Sequence, residues 1–401
     1  MNAVSLAVAS IRSRPLNAAL CGLAAAAGIA LLCAVFLLSQ AVAAGFVRNA
    51  HGIDVIAGTK GSPLQLVMSS IYHADVPAGN IDMADYEQLA HNPHVRQAIP
   101  LALGDNYKGF RMVGTTPDYP ALYDADVAQG QMFSAPFETV AGALTGLEIG
   151  ERFAVSHGFS ADNDDLHDDR LYTVTGILKP TGTVLDRIFL TPLESVQQLH
   201  AHHEEHEAEE ETEAAMAHQV TAVLIKVRGP ADIMNLPRQI NQSPNIMAAV
   251  PSYEMARFAK SLGMGRSLMI ILGSGFVALS ALMLLASLAS SLALRRYDLA
   301  VLRVLGATPG RLSATVMAEG LLLSGAGAVA GIVLGHLIAY GAALSIETLK
   351  GIVLPETLLI PQPLDAGLLL LGLFTGLLAA LVPSFSVART DIAGLLAKGR
   401  A

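Results

Sequence analysis

The residues best suited to chemistry are crowded into one tract, His200-Ala201-His202-His203-Glu204-Glu205-His206-Glu207, followed by more Glu and by His218. Imidazole and carboxylate are the ordinary ligands of zinc and similar divalent ions, and on a helix His202 and His206 share a face, as two ligands of one ion would. The H-E-x-x-H signature of metalloproteases is not met, because His203-Glu204-Glu205-His206 is one residue short. Two readings stay open. A His/Glu tract without apolar periodicity is a solvated loop or helical extension. Alternatively, His200, His202, His203 and His206 bind zinc weakly and exchangeably. His157, Asp162, His167, Asp168 and Asp169, and separately His73 with Asp75, are of ligand type, but their spacing does not bring them together.

No catalytic residue is expected. The chain lacks G-x-x-x-x-G-K-[ST]; Gly58-Thr59-Lys60-Gly61-Ser62 has the letters of a phosphate loop in the wrong order, so nucleotide hydrolysis must come from another chain. Gly273-Ser274-Gly275 lies inside an apolar run and reads as helix packing, not a nucleophile elbow. Glu319 and His336 fall inside another apolar run. Ionisable groups there are costly and often functional, so Glu319 is expected either to pair with an arginine or to snorkel to the near interface. For His336, packing with a satisfied ring is expected.

The stretch 295–309 joins two long apolar runs. Leu299, Leu302 and Leu305 recur every three residues, with Arg295, Arg296, Asp298 and Arg303 around them, which predicts a short amphipathic helix with one apolar ridge. Gly306 is placed to end it and Thr308-Pro309 to begin the next helix.

The elements that must position these residues follow from hydropathy. Of 401 residues 52% are hydrophobic and 15% charged, with a mean hydropathy of +0.48. The apolar residues gather in runs at about 16–47, 268–294, 312–344 and 364–387, each long enough for the ~20 residues that cross a bilayer. Arg12 and Arg14 ahead of an apolar stretch with Ala41-Val42-Ala43 also fit a secretory signal, but the run is about twice a signal core and reads as a retained helix. Segments 1–15, 295–311 and 388–401 carry nine basic residues against two acidic ones, in a chain of net charge −9, which sets them on the cytoplasmic side.

The expected fold is therefore an α-helical membrane protein with four transmembrane helices and a mixed α/β extracytoplasmic domain between helices 1 and 2. The expected order is a cytoplasmic N-terminus (1–15), transmembrane helix 1 (16–47), the extracytoplasmic domain (48–263), transmembrane helix 2 (264–294), the short amphipathic helix (295–308), transmembrane helix 3 (309–344), an outer loop (345–363), transmembrane helix 4 (364–387) and a cytoplasmic tail (388–401). The loop reads as an ordinary turn. Strands are expected at 53–57, 111–116, 172–178, 187–191, 221–227 and 247–250, and helices at 83–91, 192–198, 231–240 and 252–262, the last continuing into the second span. Gly325, Gly327, Gly331 and Gly335 predict close helix approach and dimerisation. Both cysteines, Cys21 and Cys33, lie in the first apolar run, so no disulfide framework is expected in the exported domain.

This layout resembles the FtsX-like, MacB-type ABC transporter permease family. Residues 296–308 are similar to its R-x-E-I-x-x-L-R-x-L-G-A-[ST] segment, with Asp298 for Glu and Leu299 for Ile. Glu319 falls where the family has an acidic residue, residues 383–396 resemble its tail, and residues 121–133, 137–152 and 172–178 resemble its outer domain more loosely. The resemblance implies a permease subunit that is not itself an enzyme, in a bacterial inner (plasma) membrane. It implies a homodimer or related heterodimer with a separate cytoplasmic ABC ATPase that binds ATP and Mg. Arg295, Arg296, Asp298, Leu299, Leu302, Arg303, Leu305 and Gly306 would dock that ATPase. ATP hydrolysis would move the outer domains to export or extract a substrate, with a periplasmic adaptor or substrate protein as a further partner and no nucleic acid. Two alternatives are a non-transporting regulator that activates an extracytoplasmic enzyme, and a metal-linked membrane sensor.

Overall fold

The computed structural model describes residues 3–157, 170–203, 219–346 and 349–388. Among them, four helices are long and apolar enough to cross a membrane, within Pro15–Asn49, Pro251–Leu294, Pro309–Ser345 and Pro355–Val387, the last covering all but the final residue of the helix Pro363–Ala388. All four helices start on proline, whose fixed φ suits the first helical position and whose missing N–H would find no helical partner there. At 1.5 Å per residue, 44 residues span about 66 Å, twice a ~30 Å hydrocarbon core, so Pro251–Leu294 extends well beyond one membrane crossing.

The chain divides into two compact units, one of residues 1–41, 262–346 and 355–401 and the other of residues 42–261 and 347–354. In the first, the spanning unit, Cys21, Leu284, Leu288, Leu312, Val316, Leu323, Ala379, Ala380 and Val387 form a common core. Both cysteines are free and buried. The third-span glycines bring helices together within the chain. A Cβ on Gly327 would lie 2.8 Å from Ala25 Cβ, one on Gly331 2.7 Å from the Ala26 carbonyl oxygen, and one on Gly335 2.5 Å from Cys33 Cβ. Gly325 instead faces Leu373. The faces of Gly327, Gly331 and Gly335 are thus occupied by the first span and are not open for dimerisation.

A short helix, Ala3–Arg12, precedes the first span. It was not expected within the N-terminal segment. Ala7 and Ser10 are buried, and Ile11 packs against the spanning core, a three-to-four-residue spacing that marks one inward face.

In the second unit Ile81–Asp82 pairs with Gln219–Val220, and the other described strands form an eleven-stranded mixed sheet. Its main path runs Ile246–Ala249, Val55–Thr59, Ala222–Val227, Val95–Tyr107, Phe110–Thr115, Ile188–Pro192, Glu138–Ala141, Tyr172–Leu178, Val127–Gly130. Pairing is mostly antiparallel; Ile188–Pro192 with Phe110–Thr115 and Glu138–Ala141 with Tyr172–Leu178 are parallel. Tyr172–Leu178 alternates buried and half-buried residues without a break, as a strand with one face on the core must. That core centres on Tyr172 and Phe189, both fully buried, with Phe153 5.0 Å from Phe189 and Tyr107 4.5 Å from Phe153, centroid to centroid. Each such buried ring contributes roughly 1.5–3 kcal/mol of apolar burial, so the unit has a core of its own without disulfides.

Candidate functional site

The helix Arg296–Val304 is the expected amphipathic connector. It closes with a Schellman motif: the Ala307 N–H reaches the Leu302 carbonyl at 3.0 Å and the Gly306 N–H the Arg303 carbonyl at 3.1 Å, satisfying two otherwise orphaned acceptors. Gly306 sits at φ +96°, the left-handed region that disfavours any side chain. Thr308 then caps the third span, its hydroxyl accepting from the Arg311 N–H, with Pro309 in the first helical position. Nothing lies within 4 Å of a Cβ built on Gly306, so Gly306→Ala strains only the backbone, by ~1 kcal/mol. Amide exchange at 306 and 307 is expected to rise about fivefold to tenfold, read by hydrogen–deuterium exchange.

The leucine ridge divides. Leu299 and Leu302 are half-buried and pack against the spanning core, whereas Leu305 is 78% exposed and its neighbour Val304 66%. A helix lying on the span bundle buries its middle turns, and among its described side chains the exposed apolar surface lies at the C-terminal turn. The side chains of Arg296 and Asp298 lie outside the described residues.

Arg295 ties this connector to the rest of the inner end. Its guanidinium donates to the hydroxyls of Ser10 and Ser13. The Ser10 hydroxyl in turn donates to Glu319 Oε1 at 2.9 Å, and Ser13 donates to the Ser10 carbonyl at 2.7 Å. The chain of donors runs in one direction, from guanidinium through hydroxyl to carboxylate, leaving Glu319 hydrogen-bonded in the bundle. Sequence reasoning singled out Arg295 and Glu319 but missed Ser10 and Ser13, which needed the N-terminal helix to be seen.

At the outer end, in the second unit, the C-terminus of Pro15–Asn49 is held by several groups. Tyr72 Oη donates to the Phe46 carbonyl at 3.0 Å and Tyr123 Oη to the Asn49 carbonyl at 2.9 Å. The Asn49 carbonyl is one that a helix end leaves unpaired, whereas the Phe46 carbonyl also accepts from the Ala50 N–H at 3.2 Å. Burial pushes both phenols up, Tyr123 well above its ordinary value, so they remain neutral donors. Asn49 accepts from the Val184 N–H at 2.8 Å and donates to the Gly351 carbonyl, while Arg48 donates to the Ile352 carbonyl at 3.0 Å. Gly45 allows the approach, since a Cβ there would sit 2.0 Å from the Ile352 oxygen. The loop read as an ordinary turn thus contributes Gly351 and Ile352 to this clamp.

Helix Leu193–His203 takes in His200, His202 and His203, but their side chains, together with His206 and residues 204–218, lie outside the described residues. So do the side chain of His157 and the whole of Asp162, His167, Asp168 and Asp169. His73 is half-buried, with its Nε2 3.2 Å from the Tyr119 hydroxyl. Burial, then the Arg111 guanidinium, pushes it down to about 3, and that cation argues against an ion there.

The chain matches the family model described as MacB-like periplasmic core domain over residues 18–243, and that described as FtsX-like permease C-terminal over residues 270–392. Among solved structures it is similar to the periplasmic region of MacB from Actinobacillus actinomycetemcomitans, at 9% identity and a TM-score of 0.34 over 53% of this chain and 97% of that one. It is also similar to the extracellular domain of the noncanonic ABC-type transporter YknZ from Gram-positive bacteria, at 13% identity and a TM-score of 0.29 over 49% and 98%. No curated protein matches in sequence.

Proposed function

The chain belongs to the MacB/FtsX-like ABC permease family, and from that premise we propose that it is the mechanotransmitting subunit of its transporter. It is an ABC-transporter-type membrane subunit with a large extracytoplasmic domain, fitting a bacterial inner membrane. A separate cytoplasmic ATPase engages the helix Arg296–Val304. ATP-driven closure of that ATPase turns the inner end of the spans, and the motion reaches the outer domain along Pro15–Asn49 and Pro251–Leu294, for export or extraction of a substrate by a permease dimer. ATP and Mg belong to the ATPase.

The observation that carries this reading is the Arg295–Ser10–Glu319 chain. It fastens the start of the connector to both the N-terminal helix and the third span, so a push on the connector is shared by the bundle instead of being absorbed in a loose loop.

The test is a distance measurement. Leu144 is exposed in the outer domain, and a spin label on Leu144→Cys reports the separation of two outer domains in the reconstituted complex. ATP with Mg is expected to shift the distance distribution by several ångströms. Identical distributions in nucleotide-free, ATP-bound and vanadate-trapped complexes would overturn mechanotransmission while leaving the family assignment intact.

A further inference from the structure

Toward the outer ends of three spans, Cys33, His336 and Asp365 bring one thiol, one imidazole and one carboxylate together, all ligand atoms lying within 4.8 Å of one another. Cys33 and His336 are buried and Asp365 nearly so. We propose that these three residues form a binding site for a divalent transition-metal ion of zinc's class inside the spanning unit, a site independent of both the ATPase-docking helix and the His/Glu tract.

The hydrogen bonding argues for a cation at this point. His336 Nδ1 contacts the Leu358 carbonyl oxygen, which can only accept, so Nδ1 carries the ring proton. Nε2 then presents its lone pair to both oxygens of Asp365, at 3.1 and 3.2 Å. An acceptor faces a carboxylate, and something positive has to lie between them. A second proton would form an imidazolium–carboxylate pair that leaves the Cys33 thiol outside it, donating to the Ile332 carbonyl at 3.8 Å. A divalent ion uses all three donors. It also balances charge, since one thiolate, one carboxylate and a neutral imidazole sum with it to zero, which a site in a membrane bundle requires.

The supporting groups are those that metal ligands have. A ligating histidine commonly donates its other N–H to a backbone carbonyl, as His336 does to Leu358, and a ligating carboxylate is itself hydrogen-bonded, as Asp365 is by the Gln362 N–H at 2.8 Å. Tetrahedral zinc, with bonds of about 2.0 Å to N and O and 2.3 Å to S, places its ligand atoms roughly 3.3–3.6 Å apart. The His336–Asp365 pair is already near that spacing, and the sulfur is reached by a small closure. Gly335 sets up the approach: with 2.5 Å between a built Cβ and Cys33 Cβ, no larger residue lets the first span bring its thiol beside His336.

Cobalt(II) titration of the purified full-length, metal-stripped chain tests the site, because a thiolate ligand gives a charge-transfer band in the near ultraviolet that nitrogen and oxygen ligands do not. The band is expected to saturate at one ion per chain, to be displaced by zinc, and to persist when residues 204–218 are deleted. Cys33→Ser removes it and Cys21→Ser leaves it unchanged; His336→Gln weakens binding at least ~10-fold. Absence of the band in the unaltered chain, or its survival in Cys33→Ser, overturns the proposal.

Discussion

Leu305→Asp is expected to weaken capture of the co-expressed ATPase by about 30- to 100-fold while leaving the permease as stable as before. The exposed pair Val304 and Leu305 ends a helix whose inner leucines are already spent on the span core. An apolar side chain seated in a partner's pocket contributes about 2–3 kcal/mol, and a carboxylate forced into that pocket forfeits it. Because Leu305 is 78% exposed, the same substitution costs the isolated chain no more than about 0.5 kcal/mol. Leu302→Asp does not discriminate in this way, since a charge against the spanning core would loosen the bundle and weaken capture indirectly. Affinity pull-down with the thermal unfolding of each variant separates the two effects. Unchanged capture by Leu305→Asp would sink the docking role of this helix end.

The span helices were legible because a bilayer demands long uninterrupted apolar runs, and nothing else in a chain of this composition looks like them. The connector was legible down to Gly306 and Thr308-Pro309, since caps are local chemistry. What the connector faces was not, because Leu299, Leu302 and Leu305 share one period yet divide between core and exterior according to where the helix lies on the bundle. Several strands were readable from β-branched runs, among them Tyr172–Leu178 and Ala222–Val227. The 13-residue strand Val95–Tyr107, central to the sheet, was missed. It carries Pro100, Gly104, Asp105 and Asn106, residues that signal turns, and it is a strand only because partners on both sides pair with it. The inner-end chain of Arg295, Ser10 and Glu319 and the outer cluster of Cys33, His336 and Asp365 join residues about 300 positions apart. No local period encodes such meetings.

Gly331→Val is expected to destabilise the spanning unit by about 3 kcal/mol, lowering the folded-to-unfolded ratio roughly 100-fold. A Cβ at 331 would stand 2.7 Å from the Ala26 carbonyl oxygen and 2.8 Å from Ile29 Cβ. The first obstacle is backbone, which no rotamer change can clear, so the two helices must part along the seam that also holds Gly327 and Gly335. Gly341→Val on the same helix meets nothing within 4 Å and is expected to match the unaltered chain. Detergent-unfolding midpoints, with the monodisperse fraction on gel filtration, measure both variants. The outcome also decides which surface the third span uses between copies. Were the Gly331 face a dimer contact, valine would yield a well-folded monomer with an unshifted midpoint. Because the first span already fills that face, folding and assembly are expected to fail together, which would place any contact between copies on helix faces other than this seam.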